Sequence, residues 1–281
     1  GAWPGESQHQ RAVLGLEVLR SIGTDTALMQ INGIAQKVSF KGIKERAKEC
    51  MDAIAADRGF SPEELSDRII PDGGLDERGS RAFDFGPRQF TFALGPDLKP
   101  ALKDETGKRL PDLPKPNTKD DEAKAAEAVA SWKLLKKQVA EVAKTQAARL
   151  EQAMVVGRRW TPEEFEQLLV QHPLMRLLVQ RLIWAAYDEA GKPLGTFRVA
   201  DDRTLANEGD DLWTIPEPAV QIGIVHPSHL KPEEQSAWGE VLSDYDIIPP
   251  FVQLGRPTFT LTDAEKKQAY LTRFADSKVD P

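Results

Sequence analysis

The sequence predicts an α+β protein, and three observations carry that prediction. Residues 10–67 show only helical apolar spacing, residues 83–94 and 182–200 show period-two alternation, and residues 120–158 between them read as one long amphipathic helix. The expected architecture is a short helical segment over residues 1–70, followed by a mixed domain over 71–281. In that domain antiparallel strands and hairpins pack on a long amphipathic helix pair, with an internal linker at about 111–118.

The elements follow in chain order. Gly1-Ala2 reads as the remnant of a cleavage site, which marks the chain as a piece of something longer. Leu14, Leu16, Val18 and Leu19 place a first helix. Ala27, Leu28, Ile31, Ile34, Ala35 and Val38 give a second, at the i, i+3/i+4, i+7 spacing of one apolar face. A third runs from Lys41 to Ala56, with Ile43, Ala47, Cys50, Met51 and Ile54 on one side and Gly59 as its terminator. Helices of this length joined by short turns look like the end of a solenoid, which cannot bury both of its faces alone. Ser61-Pro62-Glu63-Glu64 is a capping box that opens a short helix ending near Ile70.

Pro71-Asp72-Gly73-Gly74 then forces a turn, and Phe83, Phe85, Phe90, Phe92 and Leu94 alternate as in half-buried strands. Leu98 to Leu110 continues the pattern around a hairpin tip at Asp104-Glu105-Thr106-Gly107-Lys108, and Pro111 to Asn117 is a proline-rich linker. In the long helix, Ala128, Trp132, Leu135, Val139, Val142, Leu150 and Ala153 form one apolar line broken only by Gln146. Thr161-Pro162-Glu163-Glu164 opens its partner helix, which Pro173 interrupts. Leu182, Trp184 and Ala186 return the chain to strands, with a second tip at Asp188-Glu189-Ala190-Gly191-Lys192 and a return strand over Leu194 to Ala200. The two tips resemble each other; independent use of one glycine-containing turn explains this better than a duplicated unit. Ala219 to Val225 reads as a buried strand, Pro232 to Leu242 as a helix, and Thr262-Asp263-Ala264-Glu265 as a box opening a last helix.

Composition bounds the function. With 281 residues, one cysteine and a net charge of −7, the chain cannot form an internal disulfide or a thiolate zinc site. It has no run of about 18 apolar residues and no basic-then-apolar leader, so the expectation is a cytoplasmic protein away from membranes. Nucleotide-binding glycine loops, the Gly-x-Ser-x-Gly elbow, His-Glu-x-x-His and Cys-x-x-Cys are all missing from the text, and no cofactor is implied. Cys50 lies on an apolar helix face and reads as core. Asp201-Asp202 and Asp210-Asp211 read as solvated loop charge.

Two clusters remain as site candidates. Between residues 131 and 159, Lys133, Lys136, Lys137, Lys144, Arg149, Arg158 and Arg159 outweigh Glu141 and Glu151, a net of +5, whereas residues 201–281 carry a net of −8. On a nucleic-acid reading, Lys133, Lys136, Lys137, Lys144, Arg158 and Arg159 contact phosphates and Trp160 offers a stacking face. The plainer reading is the wet face of an amphipathic helix near an acidic region. The second cluster is His226 and His229, which with Asp244 or Asp246 could share a metal ion and support a hydrolase. Proline between the histidines makes the segment a turn, and two surface or capping histidines are the plainer reading.

A set of longer strings is more specific: Ile69 to Asp76, Phe83 to Arg88, Leu113 to Pro116, Trp132 to Lys137, Gln146 to Met154, Arg158-Arg159-Trp160, His172-Pro173-Leu174, Arg181 to Trp184 and Phe251 to Leu254. Together they resemble the uncharacterised C-terminal domain of bacterial WGR-domain, molybdate metabolism regulator-type proteins, over roughly Ile22 to Thr260. The resemblance implies a HEAT-like helical segment at the start and carries over no catalytic residues. The WGR module itself is not in this sequence, whose only Trp-Gly pair, Trp238-Gly239, precedes Glu240. The expected function is a non-catalytic interaction or scaffold domain of a larger bacterial protein, regulatory or stress-linked. Its expected partners are other domains of that protein and further proteins.

Overall fold

The computed structural model describes residues 6–38, 40–76, 78–94, 99–257, 261–270 and 273. Gly1, Ala2 and Leu98 lie outside them. Helices α1 (Glu6–Ile22), α2 (Asp25–Lys37) and α3 (Lys41–Asp57) close on one core of Leu16, Leu28, Ile31, Ile43, Ala47, Cys50 and Ile54. Cys50 is buried there as expected, and burial pushes its thiol pKa up. Among the described side chains of α1 only Leu16 reaches full burial; Leu14, Val18 and Ile22, four residues apart, form an exposed apolar stripe. Gly59, at φ +69°, stops the chain after α3. The Ser61–Glu64 capping box then forms in both directions at the head of α4 (Pro62–Arg68).

Strands β1 (Ala82–Asp84), β2 (Gln89–Leu94), β3 (Pro100–Asp104) and β4 (Arg109–Leu110) make an antiparallel meander in chain order. Phe83, Phe90, Phe92 and Leu102 are buried in the same core as α5 (Glu122–Val156). Trp132 of α5 receives Phe83 and Phe92 edge-on, at 5.4 and 6.4 Å. Every residue of the expected apolar line of α5 is buried, and so is Gln146, whose Oε1 accepts from Arg149 at 2.6 Å. A side-chain partner lets the one polar residue stay in the seam. Gly157, at φ +67°, ends the helix.

The expected partner of α5 is not a second long helix. The Thr161–Glu164 box starts α6 (Pro162–Glu164), which widens into a π-helical turn (Phe165–Val170) and breaks before α7 (Arg176–Val179). The π-turn brings Phe165, Leu169 and Val170 into the core together, and Pro173 cannot donate to a continuing ladder. His172 caps the restart. Its Nδ1 accepts from the N–H groups of Leu174 and Met175, at 3.2 and 3.1 Å, while Nε2 lies 3.2 Å from the Ile70 carbonyl. This arrangement needs the neutral ring with its proton on Nε2, and burial holds the His172 pKa below the ordinary imidazole value. Folded His172 therefore takes up a proton less readily than the unfolded chain, so stability falls as pH drops below about 6.5. Urea unfolding midpoints between pH 7.5 and 5 should show this slope, and His172→Asn, which keeps a capping acceptor without an ionisable ring, should flatten it.

A six-stranded antiparallel sheet follows, in the order β5-β10-β6-β7-β8-β9. Its strands are β5 (Arg159–Trp160), β6 (Trp184–Tyr187), β7 (Pro193–Val199), β8 (Leu205–Ala206), β9 (Leu212–Trp213) and β10 (Gln221–Ile224). All four residues of β6 are buried because both faces are covered. Trp184 and Ala186 join Phe165 and Phe197 on one side, whereas Ala185 and Tyr187 join Val225 and Trp238 on the other. Trp238 belongs to α8 (Pro232–Asp244). The Thr262–Glu265 box forms its hydrogen bonds, but among the described residues it opens one 3₁₀ turn, Glu265–Lys267, rather than a longer helix.

One five-residue turn recurs at 76–80, 104–108, 188–192, 200–204 and 207–211. In each, the first residue's N–H bonds the fifth carbonyl and its carbonyl accepts from the fourth N–H, at 2.8–3.1 Å. The fourth residue has positive φ in all five. The likeness of the 104–108 and 188–192 tips is thus local turn chemistry.

Two polar joints tie these parts together. Asp67 of α4, 5% exposed, accepts from Arg149 of α5 at 2.8 Å, from Arg158 at 2.5 Å and from Trp160 Nε1 at 2.8 Å. Gln253, 1% exposed, bridges the ends of β6 and β10. Its Oε1 accepts from Ile183 N–H at 2.9 Å, and its Nε2 donates to the carbonyls of Ile183 and Val225 at 2.8 and 2.9 Å.

Candidate interaction cleft

The basic residues do not assemble into one open surface. Trp160 is 3% exposed with its indole N–H on Asp67, so its face is closed to a base. Arg158 is spent on the same carboxylate and stacks 4.8 Å over Trp160. Arg159 lies 3.6 Å over Tyr187 and donates to Gln221, and Lys136 pairs with Asp112 at 2.9 Å. Lys133, Lys137 and Lys144 are exposed on α5. The stretch reads as basic because much of it consists of structural arginines whose partners are distant in sequence.

The histidine cluster likewise resolves into a turn. His226 Nδ1 is 2.7 Å from Ser228 Oγ and accepts from Ser228 N–H at 3.2 Å, which caps the 3₁₀ turn Pro227–His229. The His226 and His229 rings lie 5.9 Å apart, and burial, then the neighbouring His229, lowers the His226 pKa. Among the described residues no three His, Cys, Asp or Glu side chains are grouped as a metal would need, so Asp244 and Asp246 do not complete a set with the two histidines.

A different place gathers functional-looking features. A cleft of about 830 Å³ opens on one face of the β7–β8–β9 ribbon, walled by residues 177–181 on one side and 245–248 on the other. The register sets Arg198, Ala206 and Leu212 side by side across the three strands, all on the cleft face. Alternation sends Phe197 and Val199 the opposite way into the core, where Phe197 stacks on Trp213 at 4.7 Å. Strand period therefore places an arginine on the floor, and the small Ala206 beside it leaves room.

Arg198 is 7% exposed. Its Nη2 donates to Asp210 at 3.0 Å and its guanidinium lies 4.2 Å over the ring of Tyr245, whose hydroxyl donates to the other Asp210 oxygen at 2.5 Å. These bonds hold the Asp210 carboxyl below the usual carboxylate range, the Tyr245 hydroxyl first and Arg198 second, and they push the tyrosine up. The Nε of Arg198 is shielded from solvent and has no hydrogen-bond partner. Of the two such atoms among the described residues, Arg68 Nε has Asp25 at 3.6 Å, whereas Arg198 reaches its carboxylate, Asp210, through Nη2.

The recurring turn adds an independent mark. Glycine takes its left-handed position at Gly79, Gly107 and Gly191, but at the cleft the same position holds Arg203, at φ +72°, and Asp210, at φ +62°. Asp246 on the opposite wall, at φ +51°, is the third non-glycine of this kind among the described residues. Such positions favour glycine by roughly 1 kcal/mol. The side chain of Asp210 explains its retention, because it holds Arg198 and Tyr245. Asp210→Gly, which loses the bonds to Arg198 and Tyr245, should therefore unfold at clearly lower denaturant than Arg203→Gly, which loses an exposed bond to Gln171. Parallel guanidinium titrations of the two variants check this.

Sequence reading passed over Arg198 and Tyr245, and it took Asp201-Asp202 and Asp210-Asp211 for loop charge. The available signal was an arginine inside the strand string Thr196-Phe197-Arg198-Val199, facing away from two core residues.

The molecule is thus an α+β protein in which a four-stranded meander, a 35-residue helix and a six-stranded antiparallel sheet carry an open cleft near one sheet edge. The chain belongs to the family described as Domain of unknown function (DUF4132), whose profile matches residues 107–281. It is similar to the uncharacterized protein YehI of Escherichia coli (strain K12), at 41% identity over 276 residues, which is 97% of this chain and 23% of that protein. The chain spans about a quarter of the length of that curated relative. No solved structure matches it. Among the described residues no helix is long and apolar enough to cross a membrane.

Proposed function

We propose that the chain is a non-catalytic interaction domain of a larger bacterial cytoplasmic polypeptide, and that the cleft on the β7–β9 ribbon is where it holds a protein segment. The supporting observation is the make-up of the cleft. Its rim carries Leu212 at 75% exposure and Ile248 at 70%, large apolar side chains that single-partner folding leaves in water. On its floor Arg198, Asp210 and Tyr245 are tied to one another by hydrogen bonds and a cation–π contact, which fits a structural role for these three side chains. The solenoid-like helices, their exposed Leu14–Val18–Ile22 stripe and the resemblance to regulator-type proteins fit a module working beside other domains.

Panning the chain against a displayed random peptide library tests the reading. Peptides whose binding is lost in Leu212→Asp and Ile248→Asp, both at exposed positions, support it. Turnover in a hydrolase, transferase and nuclease screen that disappears in Arg198→Met would overturn it.

A further inference from the structure

Resting on that interaction reading, we infer that the cleft selects an extended segment in which a lysine or arginine stands next to an aliphatic residue, paired along the free edge of β9. Charge complementarity sets the first requirement. Asp201, Asp202, Asp210 and Asp246 line the cleft against Arg181 and Arg198, an excess of two negative charges, and Arg198 and Asp210 already neutralise one another. A cationic side chain entering the cleft meets Asp202, whose Oδ1 is occupied by Thr204 while the second oxygen has acceptor capacity left.

The backbone sets the second. The sheet ends at β9. Asn207 N–H donates to the Asp211 carbonyl at 3.0 Å, so 207 and 211 are a hydrogen-bonded pair and the next pair, Ala206 and Leu212, is the non-bonded one. Leu212 thus turns its N–H and C=O outward to the open edge while its side chain stands on the cleft face. An added strand satisfies both groups and lays alternate side chains into the cleft. The third feature is the Nε of Arg198, shielded from solvent and without a partner; it leaves the floor guanidinium one bond short, so a shift of that side chain toward the acceptor of an inserted segment gains a bond. Leu212 and Ile248 offer apolar surface to the aliphatic neighbour.

The test is fluorescence anisotropy of the 281-residue chain with three labelled, end-blocked octapeptides: alternating valine and lysine, alternating valine and glutamate, and the first with N-methyl groups on every second residue. The valine–lysine peptide is expected to bind at least tenfold tighter than either of the others. The double variant Asp202→Asn/Asp246→Asn should weaken it about tenfold, while leaving the unfolding midpoint near that of the parent. Equal binding of the lysine and glutamate peptides, or an affinity untouched by the double variant, overturns the inference. If the library of the preceding section yields Leu212-dependent peptides without basic residues, the interaction reading stands and this specificity falls. If no peptide of either kind binds, both fall.

Discussion

Asp67→Ala is expected to destabilise the protein by about 3 kcal/mol, one of the largest effects of a single surface-to-core truncation here. The substitution removes the carboxylate from Arg158 and from the indole N–H of Trp160 at a buried site, and from Arg149, which keeps Gln146 and the Glu63 carbonyl. The cost is the stranding of buried donors, not the lost attraction alone. Asp67 also joins the core of α1–α3 to the core around α5, because it projects from α4 between them. The parent should therefore unfold in one transition by both tryptophan fluorescence and far-ultraviolet circular dichroism. In the variant the two probes should separate, since fluorescence follows the tryptophans, five of which are numbered beyond residue 130, and dichroism follows all helices. Coincident transitions at the parent midpoint would show that the joint carries no weight.

Gln253→Leu should cost about 3 kcal/mol as well, although leucine fills nearly the same volume in a more apolar form. The amide of Gln253 acts as a one-residue strand, and its loss orphans the Ile183 N–H and the Val225 carbonyl. The Ile183 carbonyl keeps the Val225 N–H at 3.1 Å, which limits the damage. Gln253→Glu offers a sharper comparison. It retains the acceptor for Ile183 N–H but turns a donor toward two carbonyls into an acceptor, so above the carboxylate pKa it should be at least as unstable as the leucine variant. Denaturant titrations of the three proteins at pH 7 provide the ranking, and a leucine variant as stable as the parent would remove the clamp from the account.

Periodic features were legible in the sequence. The apolar line of α5, the faces of α2 and α3, the two glycine-tipped hairpins and the first two capping boxes depend on residues within one or two turns of each other, where spacing alone dictates the outcome. Strands β5, β8 and β9 were not legible, because two residues carry no alternation; their pairing is decided by neighbours up to 64 positions away, as Gly223 is to Arg159. The same limit hid the site. Arg158-Arg159-Trp160 looked like an exposed basic and aromatic surface, since nothing local announces that Asp67, 91 positions earlier, closes over it. Arg198 looked like an ordinary strand arginine, since its partners Asp210 and Tyr245 lie on two other segments. Local chemistry fixed the elements, and long-range partners decided which charges are structural.

The Gln253 clamp has an implication for how such a cleft diversifies. Residues 245–252, the first four of which form one wall, run between two fixed points, the end of α8 and the amide buried under β6 and β10. Changes of length between Ile248 and Gln253 cost the slowly growing entropy of a closed loop, on the order of 0.6 kcal/mol per doubling. The wall can therefore vary widely among relatives over an unchanged floor, much as a lock keeps its case while its wards are recut.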